Sequence, residues 1–133
     1  MSEFGMIFHN HQPVGNFENV IEKAVKTSYE PFIEVLKEFP SIHVTFHFSG
    51  PLLTYLRDNH KKLIEDIGNL LDSGRIEILT SGFGEPILTA IPQRDRINQI
   101  LKMNSLIEEV FDYQGCLEKA EKELRRKKDE RCD

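Results

Sequence analysis

Apolar residues along the chain alternate between the spacing of a strand and the spacing of a helix. Phe4 to Phe8 is a short apolar run and predicts a buried strand. Phe17, Val20, Ile21, Ala24 and Val25 then recur at helical intervals, which predicts a helix over Phe17 to Ser28. Proline inside a helix costs about 3 kcal/mol, so Pro31 is expected to open a second helix rather than continue the first. Its expected inner face is Phe32, Ile33, Leu36 and Phe39, and Pro40 should stop it. Ile42 to Phe48 alternates, with Ile42, Val44, Phe46 and Phe48 on one face and His43, Thr45 and His47 on the other. Ser49-Gly50-Pro51 opens a helix with proline in its first turn. Leu63, Ile64, Ile67, Leu70 and Leu71 mark a further amphipathic helix, with Gly74 where a C-terminal cap belongs. Arg75 to Thr80 reads as the third strand, with Ile76 and Ile78 on one face, and Ser81 to Ala90 as a loop. Pro92 starts a last helix whose expected inner face is Ile97, Ile100, Leu101, Asn104 and Ile107.

Strand and helix therefore alternate three times. That order predicts an α/β fold: three consecutive βα units with a parallel sheet and right-handed crossovers. No internal sequence repeat is visible. From Leu117 to Asp133 the chain is dense in Lys, Arg and Glu, with only Leu117, Ala120 and Leu124 at apolar spacing. The division expected is a β/α part over 1–115 and a charged helical or disordered tail over 116–133.

Composition narrows the function classes. A chain of 133 residues suits one domain with one core. The net charge of −5, with no basic cluster before the C-terminus, argues against nucleic acid, whose binding is driven by phosphate neutralisation. No apolar run approaches the roughly 20 residues of a membrane span, and Met1 to Met6 has no basic stretch typical of a signal peptide, so a cytoplasmic location is expected. Cys116 and Cys132 lack a C-x-x-C spacing and read as ordinary reduced thiols.

The chemistry-bearing residues gather at the predicted strand ends. The first strand runs into His9-Asn10-His11-Gln12, the second into His47-Phe48-Ser49-Gly50, the third into Gly82-Phe83-Gly84-Glu85-Pro86. Sites of parallel α/β sheets form at those ends, so histidines and a carboxylate converge on one rim. A binding site and a hydrogen-bonded turn both account for the histidine-rich segment. Glu77, inside the third strand, is expected to be buried and paired with His43, His47 or His9, structurally or functionally. Imidazole and carboxylate together suit zinc. Pro13, however, is expected to end the strand and turn His11 away from His9, so no metal is expected. Gly82-Phe83-Gly84 lacks the lysine of a phosphate-binding loop, and no Gly-x-Ser-x-Gly elbow is present.

Three stretches together resemble glycoside hydrolase family 57. "HNHQPVGNF" is similar to its first motif and "GRIEILTSGFGEPILTAIPQRDRINQI" to its second, with "FHFSGPLLTYL" between them, over Phe4 to roughly Gly115. The resemblance is to the family's α-amylase and 4-α-glucanotransferase members. It implies part of an incomplete TIM-like barrel, a retaining mechanism on α-1,4-glucans, and no cofactor. His11 matches the histidine of the family's His-Gln-Pro motif, which places His11 and Gln12 at a sugar subsite. Glu85 matches a glutamate that hydrogen-bonds sugar hydroxyls there. These are substrate-binding residues. The family's nucleophile lies after the fourth strand and its acid much later. Here the corresponding stretch reads "YQGCLEKAEKEL", Glu118 aligns with the nucleophile only through gaps, and the chain has no tryptophan. Gly84 stands where an aromatic residue is common in the family.

A complete βα barrel takes roughly 250 residues, so three units leave open edges and uncovered apolar surface. The expected partners are α-glucan or maltooligosaccharide, bound weakly, and a second copy or second chain that completes the barrel. Three readings stand: a truncated or split family 57-like chain not catalytic alone, a non-catalytic glucan-binding or interaction module, and a metal-dependent deacetylase-like domain. The last is suggested by related barrels with His and Asp at strand ends, although no aspartate stands near these histidines.

Overall fold

A computed structural model describes residues 4–112. The strands are β1 (Ile7–Asn10), β2 (Val44–Phe48) and β3 (Ile76–Leu79). They form one parallel sheet in the order β1-β2-β3. The helices are α1 (Glu18–Ala24), α2 (Glu30–Glu38), α3 (Gly50–Asn59), α4 (Lys61–Asp72) and α5 (Gln93–Phe111). Three consecutive βα units thus stand side by side in an open sheet, the expected incomplete barrel. The charged tail beginning at Cys116, with Glu118 and Cys132, lies outside the described residues.

Pro31 falls in the first turn of α2, as expected, but the helix before it does not end. α1 and α2 are joined by a π-helical stretch, Val25–Tyr29, in which Glu30 donates its N–H to Val25 five residues back. Proline lacks an N–H, and its ring crowds the carbonyl four residues earlier. A wider turn just before it relieves that crowding. Pro40 does terminate the segment, with α2 ending at Glu38. Gly74 has the expected left-handed backbone, φ 71°. There Gly74 and Arg75 donate their N–H groups to Leu71 and Leu70, closing the last turn of α4.

The core lies on one face of the sheet. Val44, Phe46, Ile76 and Ile78 are buried, and they belong to one cluster with Ile33, Leu36, Leu53, Leu56 and Ile67 from the helices. Parallel register sets the opposite face in rows: Ile7 beside Thr45 beside Glu77, then His9 beside His47 beside Leu79. Among the described residues no helix covers the lower part of that face. Ile7 is 65% exposed and Leu79 is 38% exposed.

Glu77, expected to be buried, is therefore exposed, and it needs no partner. Phe17 and Phe39, assigned to inner helix faces, are also exposed, because they fall at the ends of α1 and α2 beyond the reach of the sheet. On α5 the buried residues are Met103, Leu106 and Ile107, while Ile97 and Leu101 face outward at the less covered end of the helix.

Arg75 ties the layers together at the bottom of β3. Its guanidinium donates to the carbonyls of Leu36 (2.6 Å), Phe39 (2.7 Å) and Ile42 (3.0 Å). These include carbonyls that the end of α2 leaves without helical partners.

Candidate functional site

The C-terminal rim of the sheet is built by three short segments. The first leaves β1 as His9-Asn10-His11-Gln12. Asn10 holds it to the sheet by donating its amide to the carbonyl of His47, at 3.3 Å. A tight turn then closes with Asn16 N–H bonded to Pro13 O at 3.2 Å, and Gly15 supplies φ 80°. Gln12 braces this turn. Its amide donates to the Tyr29 hydroxyl at 3.2 Å, and its oxygen accepts from Asn16 at 2.7 Å. Gln12 therefore faces Tyr29 and Asn16, while His11 faces the rim. The segment is both a braced turn and a set of presented imidazoles.

The second segment is the end of β2. His47 and Ser49 are buried. His47 Nε2 lies 2.5 Å from Ser81 Oγ, and its Nδ1 lies 2.6 Å from His9 Nδ1. The His9 and His47 rings stack with 12° between their planes. Burial pushes the His47 imidazole below the ordinary histidine range. The Glu85 carboxylate opposes this, and the two neighbouring histidines reinforce it. A neutral His47 has one N–H, so it accepts from one of its partners and donates to the other.

The third segment, Ser81 to Pro86, carries Glu85. Its turn closes with Glu85 N–H bonded to Gly82 O, and Glu85 itself takes a left-handed backbone, φ 52°. Such a conformation is uncommon outside glycine and costs roughly 1–2 kcal/mol. α5 fixes the loop from behind. Gln99 receives the Phe83 N–H on its carbonyl and the Gly84 N–H on its side-chain oxygen. Gly50, at the start of α3, donates its N–H to Phe83 O at 2.8 Å.

These supports aim the Glu85 carboxylate at three imidazoles. Oε2 contacts His11 Nδ1, and Oε1 lies 3.7 Å from His9 Nε2 and 3.5 Å from His47 Nδ1. The His9 and His11 rings are near parallel, 14° apart. The expectation that Pro13 turns His11 away from His9 is thus not met. Chain curvature after Asn10 brings both rings to the same carboxylate. His9, His11 and Glu85 each offer a ligand atom, and these atoms lie within 4.8 Å of one another.

Of the residues predicted from sequence, His11 and Glu85 meet directly, and Gln12 supports the turn between them and α1. His47 was legible as the polar residue at the end of β2, but its bridge from His9 to Ser81 was not. Parallel pairing of β1 with β2 in register was the available signal. Tyr29, the last residue of the π-helical stretch, falls between the two expected helices and carried no sequence signal.

The family model described as Glycosyl hydrolase family 57 matches residues 5–116. The chain belongs to glycosyl hydrolase family 57. Among its relatives, a 4-alpha-glucanotransferase of Thermococcus kodakarensis is 47% identical over 103 residues, 77% of this chain and 16% of that protein. An alpha-amylase of Pyrococcus furiosus is 44% identical over 108 residues, 80% of this chain and 17% of the relative. The crystal structure of 4-alpha-glucanotransferase from Thermococcus litoralis superposes with a TM-score of 0.77 at 42% identity, covering 80% of this chain and 17% of that one. The chain thus spans about a sixth of the length of these family 57 relatives. Among the described residues no helix is long and apolar enough to cross a membrane.

Proposed function

We infer that this family 57 chain serves α-glucan processing by holding a glucose unit of an α-1,4-glucan at the His11–Glu85 rim, and that it does not complete the hydrolytic chemistry alone. The observation that carries the reading is the Glu85 carboxylate, 17% exposed and aimed at His11 from a strained backbone at the C-terminal end of the sheet. Backbone strain of this kind clusters at functional sites, which supports the reading. Carboxylate oxygens accept from sugar hydroxyls, and an imidazole N–H donates to a sugar oxygen. The relatives' names, 4-alpha-glucanotransferase and alpha-amylase, supply the substrate class.

The cluster carries a single carboxylate. Retaining glycoside chemistry needs two carboxyl groups roughly 5–5.5 Å apart. Gly84 offers no ring for a sugar face to stack on, so binding is weak. The exposed Ile7 and Leu79, on sheet rows that no described helix covers, favour association with a second copy of the chain or with a second chain completing the barrel.

Calorimetric titration with maltooligosaccharides tests the binding. Charged hydrogen bonds are worth about 1.5–3 kcal/mol, so His11→Ala or Glu85→Gln should each weaken affinity about tenfold or more. No heat with the unmodified chain removes the reading. Turnover of amylose by the purified chain, abolished in Glu118→Gln, refutes the statement that it lacks its own chemistry. Light scattering at micromolar concentration should show more than a monomer.

A further inference from the structure

We propose that His9, His11 and Glu85 form a divalent transition-metal site of the zinc type, with His47 as the residue that positions His9. Two imidazole nitrogens and one carboxylate oxygen are a common three-residue ligand set for zinc, with the fourth position left to water. Nitrogen donors select such ions over magnesium or calcium, which prefer oxygen.

The geometry fits in three respects. First, one ligand atom from each residue lies within 4.8 Å of the others. Tetrahedral zinc with bonds near 2.1 Å sets its ligand atoms roughly 3.3 Å apart. The separation of 3.7 Å between His9 Nε2 and Glu85 Oε1 is already near that value. The close His11–Glu85 contact must open, with the ion replacing the shared hydrogen and drawing the two imidazole nitrogens together.

Second, His9 has the outer partner that metal-bound histidines have. Its Nδ1 lies 2.6 Å from Nδ1 of buried His47, whose Nε2 reaches Ser81 Oγ at 2.5 Å. A chain in which His9 donates to His47 and His47 donates to Ser81 leaves the His9 Nε2 lone pair facing Glu85. Such partners fix the tautomer and the ring orientation.

Third, the site has an entrance. His9 and His11 side chains are 58% and 40% exposed, so water or a small ligand can reach the open position. This proposal does not rest on the glucan reading, and its probe is the metal alone.

The test uses the full chain with Cys116→Ser and Cys132→Ser, which removes competing thiols, and follows Co2+ uptake by visible absorption. One four- or five-coordinate ion per chain is expected, displaced stoichiometrically by Zn2+. His9→Ala and His11→Ala should each weaken binding at least 100-fold. His47→Phe keeps all three ligands and should weaken it about 10- to 100-fold. His43→Ala, which removes an exposed histidine outside the cluster, should change nothing. X-ray absorption on the zinc-loaded, otherwise unmodified chain should show two imidazoles, oxygen and no sulfur, which keeps the test independent of whether the variants fold. Uptake unchanged in His9→Ala and His11→Ala, a sulfur shell, or no ion retained at micromolar concentration would each overturn the proposal. Loss of glucan binding with metal uptake intact would sink the glucan reading and leave this one standing.

Discussion

Gly50→Ala probes the joint between the helical layer and the site loop. A Cβ built on Gly50 falls 2.3, 2.5 and 2.6 Å from three ring atoms of Phe83. Carbon atoms in contact sit about 3.5–4.0 Å apart, so the ring must retreat by roughly 1 Å or more. Its backbone cannot simply follow. Phe83 O accepts the Gly50 N–H at 2.8 Å, and Phe83 N–H donates to Gln99 O at 3.1 Å. The Lys102 ammonium sits over the ring at 3.8 Å from its centroid and would have to move with it. Overpacking of this kind costs about 1–3 kcal/mol. Alanine returns at most about 1 kcal/mol of helix propensity, and less at the first position of a helix. The net expectation is a loss of about 1–2 kcal/mol, read as a lower urea midpoint at unchanged slope. The same substitution in a Phe83→Ala background should cost nothing or stabilise slightly, since the ring is gone. Because Phe83 lies two residues before Glu85, Gly50→Ala should also weaken ligand binding at the rim. An equal cost in both backgrounds, or a gain in stability from Gly50→Ala alone, refutes the reasoning.

Four other expectations concern the frame. Arg75→Met removes donors from the carbonyls of Leu36, Phe39 and Ile42 and should cost about 2–4 kcal/mol by urea denaturation, because charged hydrogen bonds are worth about 1.5–3 kcal/mol each and do not add. Arg75→Lys should recover little of this, since an ammonium cannot reproduce the planar fork. Leu53→Ala empties a side chain with no exposure and should cost about 2–5 kcal/mol in the same assay. Burial and then the Glu22 hydrogen bond push the Tyr55 phenol from 10.0 up to about 12. Its contribution to stability is therefore complete below pH 10 and lost as pH rises toward 12, and Tyr55→Phe should flatten that limb in denaturation curves taken across the range. Glu22 moves the other way. Hydrogen bonds from Tyr55 and then His60 lower its carboxyl, so it stabilises above its ordinary value of 4.5, and that contribution is lost on acidification.

The strands and most helices were legible because their periodicities are strong and the breakers are well placed. Val44, Phe46, Ile76 and Ile78 lie on the face their alternation predicts. What failed were inferences that needed knowledge of cover. Glu77 was placed inside the protein because a parallel strand between two helices is ordinarily buried on both faces. Its face here has nothing above it among the described residues. Ile97 and Leu101 have correct helical spacing for a core stripe, yet the helix packs along Met103, Leu106 and Ile107, of which Ile107 alone lies on the expected stripe. Pro31 opens α2 as expected, but the break expected before it does not occur. Its cost in an α-helix is real, but a π-helical stretch avoids that cost, and such a stretch leaves no mark in apolar spacing.

The rim follows from the same register that leaves the lower face bare. His9 and His47 share a row because β1 and β2 pair in parallel without offset. Glu85 joins them because its left-handed backbone turns the loop after β3 back over that row. Spacing along the chain placed the first two on one rim, but the close approach of His9 to His11 depends on backbone curvature after Asn10, which spacing does not encode. A carboxylate meeting three imidazoles is costly in an apolar surrounding and tolerable at a wet rim. The exposed side chains of His9 and His11 keep it wet. Only His47 lies beneath, where burial keeps its proton count low and its two ring nitrogens are both engaged. The cluster thus has two tiers: His47, bonded to Ser81, holds His9 from below, and His9, His11 and Glu85 meet one another at the exposed rim.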